Sequence, residues 1–228
     1  VIRRTQTAPD VTRADVRIVV ITVRHTGDAA DPQAGAETAA VRRSQQAWPD
    51  GLVSWSLFRS TDGQALMAYE QWTGDEALDA ALAAHSPAAY VPGLPGTEPS
   101  APVRYRLNRS HVSPSQQEAV GCVVTPVFDV DGPERQRHFI DEVFAITKDM
   151  PPMPGSIAAH FHTSLDGTRV FNYAEWRDEQ SHIDAVTADD PRGVRRRVSG
   201  EIPGVRPCGY RRWLPHATLV AAGSGDVR

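Results

Sequence analysis

Four side chains in one short stretch could do chemistry together: His160, His162, Asn172 and Trp176. An imidazole is the side chain that exchanges a proton near neutral pH. An amide and an indole N–H can hold an oxygen on which negative charge develops. Whether the four act together depends on the hairpin that carries them. From His160 to Trp176 the chain reads as two alternating strands around Asp166-Gly167, a strong hairpin signal. A two-residue loop there would put His162 and Asn172 on opposite faces. A three-residue loop, Leu165-Asp166-Gly167, would pair His162 with Val170 and His160 with Asn172, bringing all four to one face. The second register is the expectation, because a one-residue slip would scatter the polar groups. Two histidines spaced i, i+2 could also ligate a metal, but no third ligand lies within sequence reach and no metal is expected.

The elements that must position these residues occur twice. The run from Gly51 to Trp72 repeats in Gly155 to Trp176: Ser60, Asp62, Gly63, Tyr69 and Trp72 fall without a gap on Ser164, Asp166, Gly167, Tyr173 and Trp176. The chain therefore reads as two copies of one unit. The copies differ at the polar positions, where His162 corresponds to Phe58, His160 to Ser56 and Asn172 to Ala68. A working second copy and a structural first copy is the economical reading. Trp176 has its counterpart in Trp72, so packing is an equally good account of that residue.

Each copy reads strand, helix, strand, strand, helix, strand, the ferredoxin-like split arrangement. The first unit is expected over 15–108 and the second over 118–215, with residues 1–14 a loose leader and His216 to Arg228 a mobile tail. The first unit's helices are read at Ala36 to Ala47 and Asp75 to His85, with loops at Asp28 to Gly35 and Val91 to Pro102. Asn108 to Gln117 is read as linker. Pro126 marks an edge or bulge near the end of the next strand. Phe139, Ile140, Val143 and Phe144 form the apolar stripe of the helix that follows. The last strand is expected at Pro207 to Leu214. The fold class is α+β: tandem ferredoxin-like (βαββαβ) units, their bare sheet faces stacked into a pseudo-dimeric α+β barrel with the helices outside.

A chain of 228 residues suits two such units, and a net charge of −4 offers no basic surface for nucleic acid. No apolar run approaches the ~20 residues of a membrane helix, and the first residues lack the apolar core of a signal peptide. With two distant cysteines, the cytoplasm is the expected compartment. No dinucleotide or phosphate-loop motif and no nucleophile elbow is present.

The run His162-Thr-Ser-Leu-Asp-Gly-Thr-Arg-Val-Phe-Asn172-Tyr173-Ala-Glu-Trp176, followed by Asp190-Pro191-Arg192, resembles the antibiotic biosynthesis monooxygenases, and within them the quinone-forming anthrone oxygenases. The likeness covers the second unit from Val120 to about Leu214; the first unit shows only the weaker pattern D-G…Y-x-x-W. The resemblance implies an aromatic polyketide substrate and O2 chemistry with no metal or prosthetic group. It assigns catalytic roles to His162, Asn172, Trp176 and Arg197. The family's tyrosine on the helix after the tryptophan is His182 here. His160, Phe161 and Tyr173 are expected to line the substrate. His162 or His182 would take a proton, the Asn172 amide and Trp176 indole would hold the carbonyl or peroxide oxygen, and Arg197 would add positive charge. Arg197 also sits in a basic run, Arg195 to Arg197, the usual composition of a solvated face. Tandem relatives include ring-cleaving oxygenases that use reduced flavin, FMNH2 or FADH2, as a diffusible co-substrate, and a non-catalytic polyketide-binding partner of a cyclase is a third reading. Pairing of tandem chains into a homodimer stays open.

Overall fold

The computed structural model describes residues 2–26, 31–84, 98–113, 118–191 and 193–221. The elements of the first half are β1 (Ile2–Thr5), β2 (Ile18–His25), α1 (Pro32–Gln45), β3 (Leu52–Ser60), β4 (Ala65–Trp72), α2 (Asp75–Ala84), β5 (Glu98–Pro99) and β6 (Val103–Val112). Those of the second are β7 (Cys122–Val124), β8 (Val127–Val130), α3 (Pro133–Thr147), β9 (Ser156–Ser164), β10 (Arg169–Trp176), α4 (Glu179–Thr187), α5 (Val194–Gly200), β11 (Val205–Pro207) and β12 (Arg212–Ala221). The expected α+β order is present in both halves.

The chain divides into two compact units at Tyr105/Arg106 and again at Arg212/Trp213. Against the expected ends at 108 and 215, residues 106–108 fall in the second unit and 213–215 in the first. The first unit has the strand order β1-β12-β3-β4-β2-β6, with β5 also on β2. The stretch expected to be a loose leader contains β1, and residues 216–221 of the expected mobile tail belong to β12. They pair with each other from Ile2↔Ala221 to Thr5↔Thr218. The reason is apolar content: Ala217, Leu219 and Val220 are buried, and Thr218 donates to the Thr7 carbonyl at 2.7 Å. Likewise the expected linker at Asn108 to Gln117 is strand as far as Val112. Its residues 114–117 lie outside the described residues, as do 28–30 and 91–97 of the expected loops, His85 of the expected second helix, Arg192, and 222–228 of the expected tail.

The second unit has the order β6-β9-β10-β8-β11, with β7 also on β10. Pro126 breaks what was read as one strand into β7 and β8, as its missing N–H requires. One face of this sheet packs on α3 through Phe128, Val130, Phe139, Ile140, Val143, Phe161 and Val170. Burying each such side chain contributes roughly 1.5–3 kcal/mol. Buried Gln136 ties α3 to the hairpin, donating to the carbonyls of Ser164 at 3.0 Å and Arg169 at 2.7 Å. No described helix is long and apolar enough to cross a membrane.

Candidate active site

The β9–β10 register differs from the expected one by one residue. Val170 faces Thr163, Phe171 faces His162, Asn172 faces Phe161, and Tyr173 faces His160. The cause lies in the turn. The Asp166 carboxylate accepts from both the backbone N–H (3.0 Å) and the hydroxyl (2.8 Å) of Thr168. The Ser164 hydroxyl donates to Asp166 at 2.6 Å and accepts the N–H of Arg169 at 2.8 Å. Thr168 is thus held in the turn instead of pairing with Ser164, and the loop is one residue longer than expected. The first hairpin does the same: Ser60 donates to Asp62 at 2.6 Å and accepts from Ala65 N–H at 2.9 Å.

The slip corrects the single-face expectation. His160, His162 and Tyr173 lie on one face, and Phe161, Asn172, Ala174 and Trp176 lie on the other, toward the helices. On the first face His162 is fully buried and its Nδ1 is 2.9 Å from the His160 carbonyl. A carbonyl only accepts, so Nδ1 carries the proton. Burial drives the His162 pKa down to about 3, with neighbouring His160 lowering it further. His160 Nδ1 lies 2.8 Å from the Ser110 hydroxyl and its Nε2 lies 3.8 Å from Glu175. Tyr173 is buried beside it, ring centroids 6.2 Å apart.

The helix-side face carries the remaining polar groups. Phe161, cross-strand from Asn172, meets Phe144 edge-on at 5.6 Å. Asn172 stands where β10 changes partner from β7 to β8, its N–H donating to the Pro126 carbonyl at 3.0 Å. Interruptions of this kind re-aim side chains. Asn172 Oδ1 and Trp176 Nε1 are both buried, and among the described residues neither has a hydrogen-bond partner. Such groups usually cost about 1–3 kcal/mol each, so a pair on one face calls for an explanation.

His182 on α4 completes this face. Asp178 caps the helix, accepting from the Ser181 N–H at 2.7 Å. Helix α4 approaches the start of β9 closely enough that a Cβ on Gly155 (φ +75°) would lie 2.4 Å from Ser181 Oγ. Gly51 makes the same approach to Ala77 in the first unit. The approach seats His182, 6% exposed, edge-on to Trp176 with centroids 5.1 Å apart. Exposed Tyr210 also meets it at edge geometry, centroids 5.2 Å apart. Arg212 Nε donates to His182 Nδ1 at 2.9 Å. Burial, then the Arg212 charge, lowers the His182 pKa to about 4. Arg197 on α5 is exposed and is not brought together with these groups. Sequence reading missed Ala174, Tyr210 and Arg212. The only signal for the last two was the run Tyr-Arg-Arg-Trp, which reads as ordinary strand. Among the described residues no three His, Cys, Asp or Glu side chains gather as a metal site.

Residues 128–192 match the family described as antibiotic biosynthesis monooxygenase. The chain is 48% identical over 54 residues to the Tetracenomycin-F1 monooxygenase of Streptomyces glaucescens, which is 23% of this chain and 47% of that protein. The chain thus spans about half the length of the curated relative it matches. A monooxygenase of Streptomyces coelicolor, solved in complex with the ligand nanaomycin D, is 30% identical, covering 48% of this chain and 93% of that one with a TM-score of 0.35. An anthrone oxidase-like protein superposes with a TM-score of 0.69 at 17% identity, over 94% of this chain and 98% of that one, a likeness of fold alone.

Proposed function

The chain belongs to the antibiotic biosynthesis monooxygenase family, and from that premise we propose that its second unit oxidises a fused-ring aromatic polyketide, an anthrone or related phenol, to a quinone with O2. The observation that carries this reading is a pair of buried groups on the helix-side face, Asn172 Oδ1 and Trp176 Nε1, that have no hydrogen-bond partner among the described residues. They stand four residues apart on one strand, about 13 Å between Cα atoms at ~3.3 Å per residue. Aromatic and apolar side chains, Phe161 and Phe144 among them, lie on the same side. That combination suits a flat, elongated molecule with oxygens along its edges.

The chemistry asks little more of the protein than this. An anthrone methylene loses one proton and becomes an electron-rich enolate. The enolate passes one electron to O2, and the carbon radical and superoxide combine to a peroxide. Protonation and loss of water, which takes the second methylene hydrogen, leave the carbonyl of the quinone. The substrate supplies both reducing electron pairs, so no bound cofactor is needed. The indole N–H of Trp176 holds the oxygen where charge develops, Asn172 holds a second oxygen farther along the substrate's edge, and the burial of both groups strengthens that hold. His162, on the opposite face with its pKa held low, is not assigned the proton transfer.

Oxygen consumption by the purified chain with dithranol, measured with and without reduced flavin, tests the reading. Uptake without flavin, with one quinone formed per O2, is the expected result. Uptake only with flavin would replace it by a flavin-dependent oxygenase. Tight binding without uptake in either case would leave a polyketide-binding protein.

A further inference from the structure

Nothing in the proposed reaction uses Arg212, yet its contact with His182 decides what His182 can do. We propose that Arg212 is a positioning residue that fixes His182 in its neutral Nε2–H tautomer, so that His182 serves as a hydrogen-bond donor to substrate oxygen and not as a base. The guanidinium has only donors, so the atom it meets 2.9 Å away, Nδ1, must be the lone-pair nitrogen. The ring's one proton is then on Nε2. A cation at Nδ1 also opposes protonation of the ring, in the same direction as its burial. Arg212 is itself held, its guanidinium lying over the Tyr210 ring at 5.4 Å, while Tyr210 and Trp176 both meet the imidazole at edge geometry. The second ring nitrogen is thereby taken out of acid–base service.

The consequence is a statement about substrate class, and it rests on the reading of this face as the active site. Trp176 Nε1 and His182 Nε2 both present N–H groups, and the Asn172 amide can present its own. The Trp176–His182 end of the face then selects a substrate acceptor, a carbonyl or an ionised phenol, while Asn172 Oδ1 accepts from an O–H elsewhere on the substrate. Catalysis proceeds by making the bound aromatic more acidic through stabilisation of its oxyanion, with the proton lost to water as the anion is captured.

The tautomer can be read without any substrate. Long-range proton–nitrogen correlation spectra of the 15N-histidine-labelled full chain at neutral pH distinguish the two neutral forms and the imidazolium. The His182 signals are identified by their loss in His182→Gln. The expected pattern is neutral with Nε2 protonated in the wild type and in Arg212→Lys, which keeps a cationic donor. Arg212→Leu is expected to release the ring into a mixture of tautomers that protonates at higher pH. A wild-type His182 protonated on Nδ1, or doubly protonated, would overturn the proposal, as would an unchanged pattern in Arg212→Leu. A folded spectrum for Arg212→Lys keeps the test valid if the leucine variant fails to fold. A second arm uses the dye 1,8-dihydroxyanthraquinone, whose colour reports phenol ionisation. Wild type is expected to lower its apparent pKa by at least one unit, and His182→Leu to lower it by less. Failure of oxygen uptake with the tautomer as stated would sink the proposed reaction and leave the Arg212 assignment standing.

Discussion

The two units solve the same packing problem at one residue in opposite ways. In the first, the indole N–H of Trp72 donates to Glu70 at 3.1 Å, and the carboxyl is buried with Arg43 near it. In the second, the residue two before the tryptophan is Ala174, and the Trp176 N–H has no hydrogen-bond partner among the described residues. The neighbouring positions change together: Ala68 becomes Asn172 and, one turn into the next helix, Leu78 becomes His182. The first face is closed by its own side chains. The second has exchanged that internal acceptor for a methyl group and gained two polar groups. The difference teaches that a repeated tryptophan can be structural in one copy and available in the other, with the residue at i−2 deciding which.

The strongest test of that contrast transplants the plug. Ala174→Gln places a neutral acceptor where Glu70 stands in the first unit, and should satisfy the Trp176 N–H internally. Loss of 1,8-dihydroxyanthraquinone binding by titration calorimetry, together with loss of oxygen uptake beyond ~100-fold, is expected. Undiminished turnover in a variant with unchanged thermal stability would mean that Trp176 Nε1 never meets the substrate. Next in size come the donors themselves. Trp176→Phe should lower kcat by on the order of 100-fold, the usual cost of one oxyanion donor, and Asn172→Ala should raise KM more than it lowers kcat. Trp72→Phe should leave kcat alone and lower stability instead, by about 1–3 kcal/mol, because it strips Glu70 of its donor. The pair is read by oxygen uptake and thermal melting on the same preparations.

Much of this contrast could be read in the residues, and one essential part could not. The repeat, the tandem ferredoxin-like units and the break at Pro126 follow from turn residues, apolar spacing and a missing N–H. Asn172 also drew notice in the residues alone, since an amide in a buried strand demands partners. The register did not follow, because it is set by hydrogen bonds that compete with the ladder: Asp166 capturing Thr168, and the Ser164 hydroxyl standing in for a backbone acceptor. One residue of slip moved His160 and His162 away from Asn172 and onto the face of Tyr173. Similarly, β12 was hidden because its apolar residues follow Pro215, which looks like a strand's end. Arg212 was invisible for a different reason: its role depends on a helix 30 residues earlier in the chain.

Acid–base behaviour should also separate the units. Burial raises the Glu70 pKa to about 7, against an ordinary value of 4.5. Between these values the folded state binds more protons than the unfolded one, so stability falls as pH rises through the window and levels off above it. The full penalty is on the order of 3 kcal/mol. Glu70→Gln, which keeps an acceptor for Trp72, should therefore gain little near pH 4.5 and roughly that amount by pH 8. In the second unit the sign reverses. The His162 pKa falls to about 3 from 6.5, so the unfolded state takes up the proton first and stability is lost as pH drops below 6.5. His162→Phe, which installs the residue found at Phe58, should remove that acid sensitivity. Denaturant midpoints measured across the range would check both, and parallel curves for wild type and Glu70→Gln would exclude a buried ionising carboxyl.

The smallest effect is expected at Arg197. Family resemblance gives it a catalytic charge, whereas here it lies exposed on α5 within a basic run, and an exposed cation acts on a site only through solvent and salt. Arg197→Ala should change kcat/KM by less than about threefold, under ~0.7 kcal/mol in the barrier, and that change should vanish at high salt. A loss approaching that of Trp176→Phe, persisting in salt, would show that α5 brings the guanidinium to the substrate when one is bound. The contrast between the units would then extend beyond β10 and α4 to a helix with no counterpart in the described residues of the first unit.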